Sequence, residues 1–135
     1  MPFLDLALAA APSPALAARA AATVAALTAE VLGKDPRLTA VAVRFVDPAC
    51  WYVAGVDLAS SGLGSFFLEI RITEGTNTKD QKAAYVAAVF EAMEGVLGRL
   101  HPESYVHVHE ARGDAYGYGG LTQEHRFIAG KLARR

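Results

Sequence analysis

The sequence lacks the features that mark disulfide-bonded, metal-binding or nucleic-acid-binding proteins. It has one cysteine, Cys50, in 135 residues, so no internal disulfide can form and no cysteine pair is offered to a metal. Its formal net charge is −1 and it has no block of like charges, which argues against nucleic acid or an acidic membrane surface as the main partner. We therefore expect a cytoplasmic protein that binds neither nucleic acid nor membrane.

Long uninterrupted apolar segments are also missing. Asp5 interrupts the alanine-rich opening, and Pro12, Pro14 and Arg19 break it again. Because a basic start is absent as well, we expect neither a signal peptide nor a transmembrane span. Hydrophobic residues still make up 53% of the chain, which is enough to build a buried core.

The chain repeats one pattern, in which a strand of alternating apolar residues precedes a helix with an apolar stripe and a second strand follows. Corresponding positions in the two copies are 65 residues apart. The pairs are Ser13 and Thr78, Gly33 and Gly98, and Gly55 and Gly120. The predicted elements are strand 3–9, helix 14–32, strand 38–46, strand 66–73, helix 79–97 and strand 105–110.

This pattern predicts a single domain, residues 1–135, of mixed α/β (α+β) class. Repeat one covers about residues 2–58, a serine- and glycine-rich linker covers about 59–65, and repeat two covers about 66–130. Two β-α-β units give a four-stranded sheet with both helices on one face, and the strands within each unit are parallel. The weakly basic tail, residues 131–135, is expected to fray.

The other face of the predicted sheet mixes aromatic and titratable side chains, among them Phe3, Arg44, His107 and His109. A sheet with helices on only one side usually hides its open face in an oligomer, so we expect a homo-oligomer. The two histidines share a face, but no third ligand follows at a recognisable spacing. We therefore expect no metal site there, and a hydrogen-bonded interface pair is the preferred interpretation.

Pro2 heads the first strand. An initiator methionine before proline is normally removed in the cell, and Pro2 would then begin the chain with a titratable secondary amine. An α-amino group has a pKa of about 7.7–8.0 in model peptides, and burial or a nearby cation lowers that pKa. Since a base works best when its pKa lies near the working pH, Pro2 is the candidate catalytic residue.

Four cations are candidates for lowering the pKa of that amine, or for holding a carboxylate or enolate. They are Lys34, Arg44, Arg71 and Arg112. Each also has a plainer interpretation, which for Arg71 is a salt bridge between subunits to Glu69 or Glu110. Tyr116 is a candidate to line an apolar pocket and donate a hydrogen bond from its phenol. Its plainer interpretation is that it packs a hairpin against the next subunit.

These motifs together resemble the tautomerase superfamily. They are the N-terminal proline before a strand, the duplicated β-α-β unit, the turn and helix start at residues 72–82, and the aromatic-then-glycine segments at residues 51–55 and 116–120. The length is similar to that of the fused, migration-inhibitory-factor-like members. The resemblance implies a ring-shaped homotrimer with active sites at subunit boundaries. It also implies a cofactor-independent keto–enol tautomerase, with Pro2 as general base on a small enolisable keto acid.

Further site residues follow from the resemblance alone. Lys34 resembles the lysine after the first helix of the migration-inhibitory-factor branch, and Ile70 resembles a residue that contributes its backbone to the pocket there. His107 and His109 fall near two positions that this branch lends to a neighbouring subunit. Phe66 stands where a second proline would, so each subunit has one candidate base.

Departures from the family pattern leave the reaction open. The arginine pair of the dehalogenases would fall on Thr73 and Thr76, and the substrate-binding arginine of 4-oxalocrotonate tautomerase would fall in residues 9–12, which hold only alanine and proline. One alternative is a hydratase or decarboxylase of the same family, in which protonated Pro2 is the acid. Another is a non-catalytic trimeric binding protein.

Overall fold

The structure is a computed structural model that describes residues 2–134. Met1 and Arg135 lie outside the described residues, so the expected removal of Met1 falls outside them too. The elements are, in chain order, β1 (Phe3–Ala9), α1 (Pro14–Leu32), β2 (Ala40–Val46), β3 (Tyr52–Val53), β4 (Val56–Asp57), α2 (Leu58–Ser61), β5 (Phe66–Thr73), α3 (Lys79–Leu97), β6 (Tyr105–Ala111), β7 (Gly117–Tyr118), β8 (Leu121–Thr122) and α4 (Gln123–Ala133).

Four strands form the main sheet, in the order β2-β1-β5-β6. β1 runs parallel to β2 and β5 runs parallel to β6, while β1 and β5 meet antiparallel in the middle. The predicted four-stranded sheet of two β-α-β units is therefore confirmed. One small antiparallel hairpin follows each unit, β3 with β4 and β7 with β8.

The core lies between the sheet and the two long helices. The strands supply alternate leucines and isoleucines, and the helices supply a row at four-residue spacing. Full burial of a side chain of this size contributes about 1.5–3 kcal/mol. The fully buried members are Leu4, Leu6, Leu8, Phe66, Leu68, Ile70, Ile72, Ala20, Val24, Tyr85, Val89 and Met93.

The helix ends follow the capping signals in the sequence. The Ser13 hydroxyl accepts a hydrogen bond from the Leu16 N–H at 3.1 Å, and Gly33 ends α1 in the left-handed conformation. Thr78 and Gln81 form a capping box at the start of α3. These local contacts fix where each helix begins and therefore which of its faces meets the sheet.

Helix α1 is long and apolar enough to cross a membrane by length and composition alone. The core helix of a soluble protein passes the same test, and α1 buries one side against the sheet through Ala20, Val24, Thr28 and Leu32. The expectation that the chain has no transmembrane span stays a prediction.

Several local features differ from the prediction. In α3 the apolar Val86 is 40% exposed, whereas its neighbour Tyr85 is fully buried and its hydroxyl lies 2.9 Å from the Thr28 hydroxyl. Within the predicted linker, residues 58–61 form a one-turn helix, and Asp57 caps that helix by accepting the Ser60 N–H.

Leu38 belongs to a 3₁₀ turn rather than to β2, because Pro36 starts that turn after the Asp35 cap.

The segment after residue 120 contains a helix, α4, which the sequence analysis did not predict. It begins after Thr122, whose hydroxyl accepts the His125 N–H at 3.0 Å, and it runs to Ala133. The tail expected to fray is therefore helical over residues 131–133. Phe127 and Leu132 of this helix are 64% and 60% exposed, so no buried stripe marked it as a helix.

Candidate active site

Pro2 is buried where β1 begins. Its carbonyl oxygen accepts a hydrogen bond from the Ala40 N–H at 3.2 Å, and the next residue, Phe3, is the register partner of Ala40 in β2. On its other side Phe3 pairs with Arg71 near the end of β5. The start of β1 is thus fixed between two strands, and the Pro2 ring is held with it.

A cavity of about 550 Å³ opens beside Pro2. Small-molecule sites commonly measure about 300–1,000 Å³. Three parts of the chain form the wall: the turn and strand start at residues 37–40, the adjoining ends of β1 and β5, and the β7 hairpin. Phe3, Leu38 and Tyr118 make much of the wall apolar, which is the setting that lowers the pKa of an amine by desolvation.

Tyr116 connects the second repeat to this site. Its hydroxyl donates a hydrogen bond to the Arg71 carbonyl oxygen at 3.1 Å, and its own carbonyl oxygen accepts the Gln123 N–H at 2.8 Å. Burial raises the pKa of the Tyr116 phenol, while a backbone hydrogen bond from Phe3 and the charge of Arg71 oppose that rise. The phenol therefore stays protonated at neutral pH and lies against the edge that carries Pro2.

Two arginines line the cavity, and each is paired with a carboxylate. Arg71 Nη2 lies 3.0 Å from Glu69 Oε1 in the same strand, and Arg37 Nη2 lies 2.9 Å from Asp35 Oδ2. The Arg71 pair forms within one chain, and the inter-subunit bridge considered from the sequence stays a prediction. Exposed ion pairs contribute only about 0–1 kcal/mol to stability, so a ligand carboxylate can take the place of Glu69 or Asp35 at little cost.

Arg37 was missed by the sequence analysis. Its signal was the Asp35-Pro36 turn, which comes just before the strand that pairs with β1 and therefore places the next residue beside Pro2. The side chain itself is 87% exposed, and its bidentate contacts with Asp35 hold it at the mouth of the cavity.

Three predicted site residues lie away from the cavity in the described chain. Lys34 Nζ donates to Thr76 Oγ1 at 2.9 Å, and burial lowers the pKa of this lysine. The Ile70 side chain is fully buried in the core. Arg112 Nη2 lies 2.7 Å from Asp114 Oδ2 on an exposed turn.

The other three lie on the open face of the sheet. Arg44 Nε donates to Asp5 Oδ1 at 3.0 Å. His107 and His109 are exposed, their rings are 5.8 Å apart, and His109 is the register partner of Arg71. The predicted placement of these three side chains on the open face is therefore confirmed. Of the predicted site residues, the fold brings Pro2, Arg71 and Tyr116 to one cavity.

Comparisons with known proteins agree with this architecture. Residues 67–126 match the family model described as Tautomerase enzyme, and a search of the curated proteins gives no match. A fused 4-OT described as a wild-type symmetric trimer is 18% identical with a TM-score of 0.77, over 90% of this chain and 96% of that one. A macrophage migration inhibitory factor-like protein from Entamoeba histolytica is 20% identical with a TM-score of 0.74, over 90% and 97%. FG41 malonate semialdehyde decarboxylase, inhibited by 3-bromopropiolate, is 17% identical with a TM-score of 0.73, over 97% and 98%.

The fold is therefore the one that the sequence indicated, the fold of fused 4-OT and migration-inhibitory-factor-like structures, and residues 67–126 carry the sequence match to the Tautomerase enzyme family model. The chain shares its doubled β-α-β fold and its length with the fused 4-OT. The matched residues lie in the second repeat and leave Pro2 outside. The role of Pro2 must therefore be argued from the cavity around it.

Proposed function

We propose that the protein is a cofactor-independent keto–enol tautomerase in which the amine of Pro2 is the general base on a small enolisable keto acid. The observation that carries the proposal is the burial of Pro2 in the wall of a cavity of about 550 Å³ that also presents Arg71 and Tyr116. Once Met1 is removed, burial keeps a larger share of this amine neutral at physiological pH, and only the neutral amine accepts a proton.

The reaction needs one base and one source of positive charge. The neutral Pro2 nitrogen takes a proton from the carbon next to the ketone, and the electron pair of that C–H bond moves onto the ketone oxygen as the enolate forms. The protonated amine then returns a proton to that oxygen, which gives the enol and restores the neutral base. Arg71 favours this step because its cation stabilises the developing negative charge and can bind the substrate carboxylate in place of Glu69.

We also propose that the enzyme is a homotrimer in the cytoplasm. The open face of the sheet presents the aromatic side chains of Phe3, Phe67 and Tyr105, which are 38%, 37% and 54% exposed. A second copy of the chain is the simplest cover for such a face, and a fused 4-OT of the same fold is described as a trimer. Sedimentation velocity at micromolar concentration tests this, and a stable monomer would refute it.

The catalytic proposal is tested at the N-terminus. The intact mass shows whether Met1 is absent, and enolisation of phenylpyruvate is followed by ultraviolet absorbance. Insertion of Ala before Pro2 converts the amine to an amide and should abolish the activity, whereas circular dichroism should show the same fold. An inserted variant as active as the wild type, or an active enzyme that retains Met1, would refute the proposal.

The pH profile separates the base from the acid mechanism. If Pro2 is a base, kcat/KM rises as pH increases through its pKa, because the neutral form is the active one. If Pro2 acts as an acid, as in a hydratase or decarboxylase, kcat/KM falls over the same range. A non-catalytic binding protein shows no turnover at any pH.

A further inference from the structure

We infer that Arg126, which lies behind the cavity wall, is a positioning residue that holds Tyr118 in place for substrate binding. The inference rests on the proposed function of the cavity. It concerns a residue to which the sequence analysis gave no role, on a helix that the sequence analysis did not predict.

Arg126 makes two different contacts with the same residue. Its Nη2 donates a hydrogen bond to the Tyr118 carbonyl oxygen at 2.9 Å. Its guanidinium carbon lies 3.9 Å from the centroid of the Tyr118 ring, well inside the roughly 6 Å range of a cation–π contact. One side chain therefore restrains both the backbone and the ring of a residue that lines the cavity beside Pro2.

The hairpin that carries Tyr118 needs such a restraint. Strands β7 and β8 have two residues each, and two-stranded ribbons of this length are marginal by themselves. Their turn is Gly119-Gly120, with both residues at positive φ, so the side chains of the turn add nothing that would stiffen it. A Cβ on Gly119 would lie 2.9 Å from Arg126 Nη2, which shows how closely the guanidinium approaches the turn.

The plainer interpretation is that Arg126 only stabilises the helix it belongs to. Among residues 2–134, however, Arg126 forms no ion pair with a carboxylate, and its Nε is buried without a hydrogen-bond partner. The contacts that Arg126 does make are directed at Tyr118.

The test compares Arg126→Met, Arg126→Lys and a control on the same helix, Lys131→Met, whose ammonium lies 5.2 Å from the Phe127 ring. Enolisation of phenylpyruvate gives KM and kcat. Calorimetric titration with benzoylformate, which has no enolisable hydrogen, gives a dissociation constant that does not depend on catalysis. We expect Arg126→Met to raise KM and the dissociation constant by about 5- to 30-fold while kcat changes little. Arg126→Lys should recover part of the loss, and Lys131→Met should behave as the wild type.

A double mutant shows whether Arg126 acts through Tyr118. In a Tyr118→Ala background, Arg126→Met should have little further effect, because the residue it positions is gone. Additive effects, an unchanged KM in Arg126→Met, or a loss confined to kcat would each overturn the inference. If Arg126→Met does not fold, as judged by circular dichroism, a wild-type KM in Arg126→Lys and in Tyr118→Ala would overturn it as well.

The two proposals fail in different ways. If the wild type binds benzoylformate but does not enolise phenylpyruvate, and Arg126→Met weakens that binding, the proposed catalysis fails and the role of Arg126 stands. If the wild type enolises phenylpyruvate and Arg126→Met does so with the same KM, the role of Arg126 fails and the catalysis stands. If the wild type neither binds nor turns over these acids, both are overturned.

Discussion

The phenol of Tyr85 should make the stability of the protein depend on alkaline pH. Tyr85 lies fully buried on α3, and its hydroxyl is 2.9 Å from the Thr28 hydroxyl on α1. Burial raises the pKa of Tyr85 to about 12, while the hydrogen bond with Thr28 opposes that rise. In the unfolded chain the pKa is about 10, so the unfolded chain releases the proton first as pH increases. The free energy of unfolding must therefore be largest below pH 10 and fall as pH rises toward 12.

The size of the effect follows from the two pKa values. A shift of about two units corresponds to about 2.7 kcal/mol once both states are ionised, and to about 1.4 kcal/mol between pH 8 and pH 11. Urea unfolding, followed by far-ultraviolet circular dichroism at these two pH values, measures it. Replacement of Tyr85 by Phe should remove this part of the pH dependence, whereas replacement of the exposed Tyr52 by Phe should keep it.

The hydrogen bond between Tyr85 and Thr28 also predicts that removing one partner or the other destabilises the protein by different amounts at neutral pH. In Tyr85→Phe the Thr28 hydroxyl still donates to the Val24 carbonyl oxygen at 2.7 Å, so the cost should be only about 0.5–1.5 kcal/mol. In Thr28→Val the Tyr85 hydroxyl is left buried without this partner, and the cost should be about 1–3 kcal/mol. If the free energy of unfolding falls equally between pH 8 and pH 11 in the wild type and in Tyr85→Phe, the assignment of this loss to Tyr85 is refuted.

Two further predictions concern charges. Lys82 Nζ lies 2.5 Å from Glu110 Oε1, and this hydrogen bond lowers the pKa of Glu110, so its stabilisation should be present above about pH 4.5 and be lost as pH falls. Acid unfolding of Lys82→Met should therefore begin at a higher pH than that of the wild type, and identical acid midpoints would contradict this. At the cavity, Arg71→Met should raise KM for phenylpyruvate more than Arg37→Met does. Arg37 is the more exposed cation, and solvent screens the effect of an exposed charge. The reverse order in steady-state kinetics would show that Arg37 binds the substrate carboxylate.

The sheet and its helices were predictable because local rules determine them. The alternation of Leu4, Leu6 and Leu8 required a strand with one buried face, and Ser13 and Thr78 marked helix starts that the structure reproduces. The duplication then determined which strands are parallel.

The features that were missed depend on packing or have weak local signals. In α3 the sequence favours burial of Val86, the more hydrophobic residue, but its neighbour Tyr85 continues the four-residue spacing of Val89 and Met93 and is the one that is buried. Helix α4 follows a glycine-rich hairpin and buries none of its described residues, so no periodic apolar stripe indicated it. Arg37 reaches the cavity only because its turn precedes the strand beside Pro2.

The two repeats contribute different parts of the site, and the family match and the candidate base lie in different halves of the chain. In repeat two the place of Pro2 is taken by Phe66, which is fully buried, and the preceding Ser65 closes that edge by donating to the Glu103 carbonyl oxygen at 3.1 Å. The hairpin of repeat two instead delivers Tyr116 and Tyr118 to the cavity beside Pro2. Residues 67–126, which match the family model, thus supply part of the cavity wall, whereas Pro2 belongs to repeat one. Because each half supplies what the other lacks, neither repeat carries a complete cavity of this kind alone.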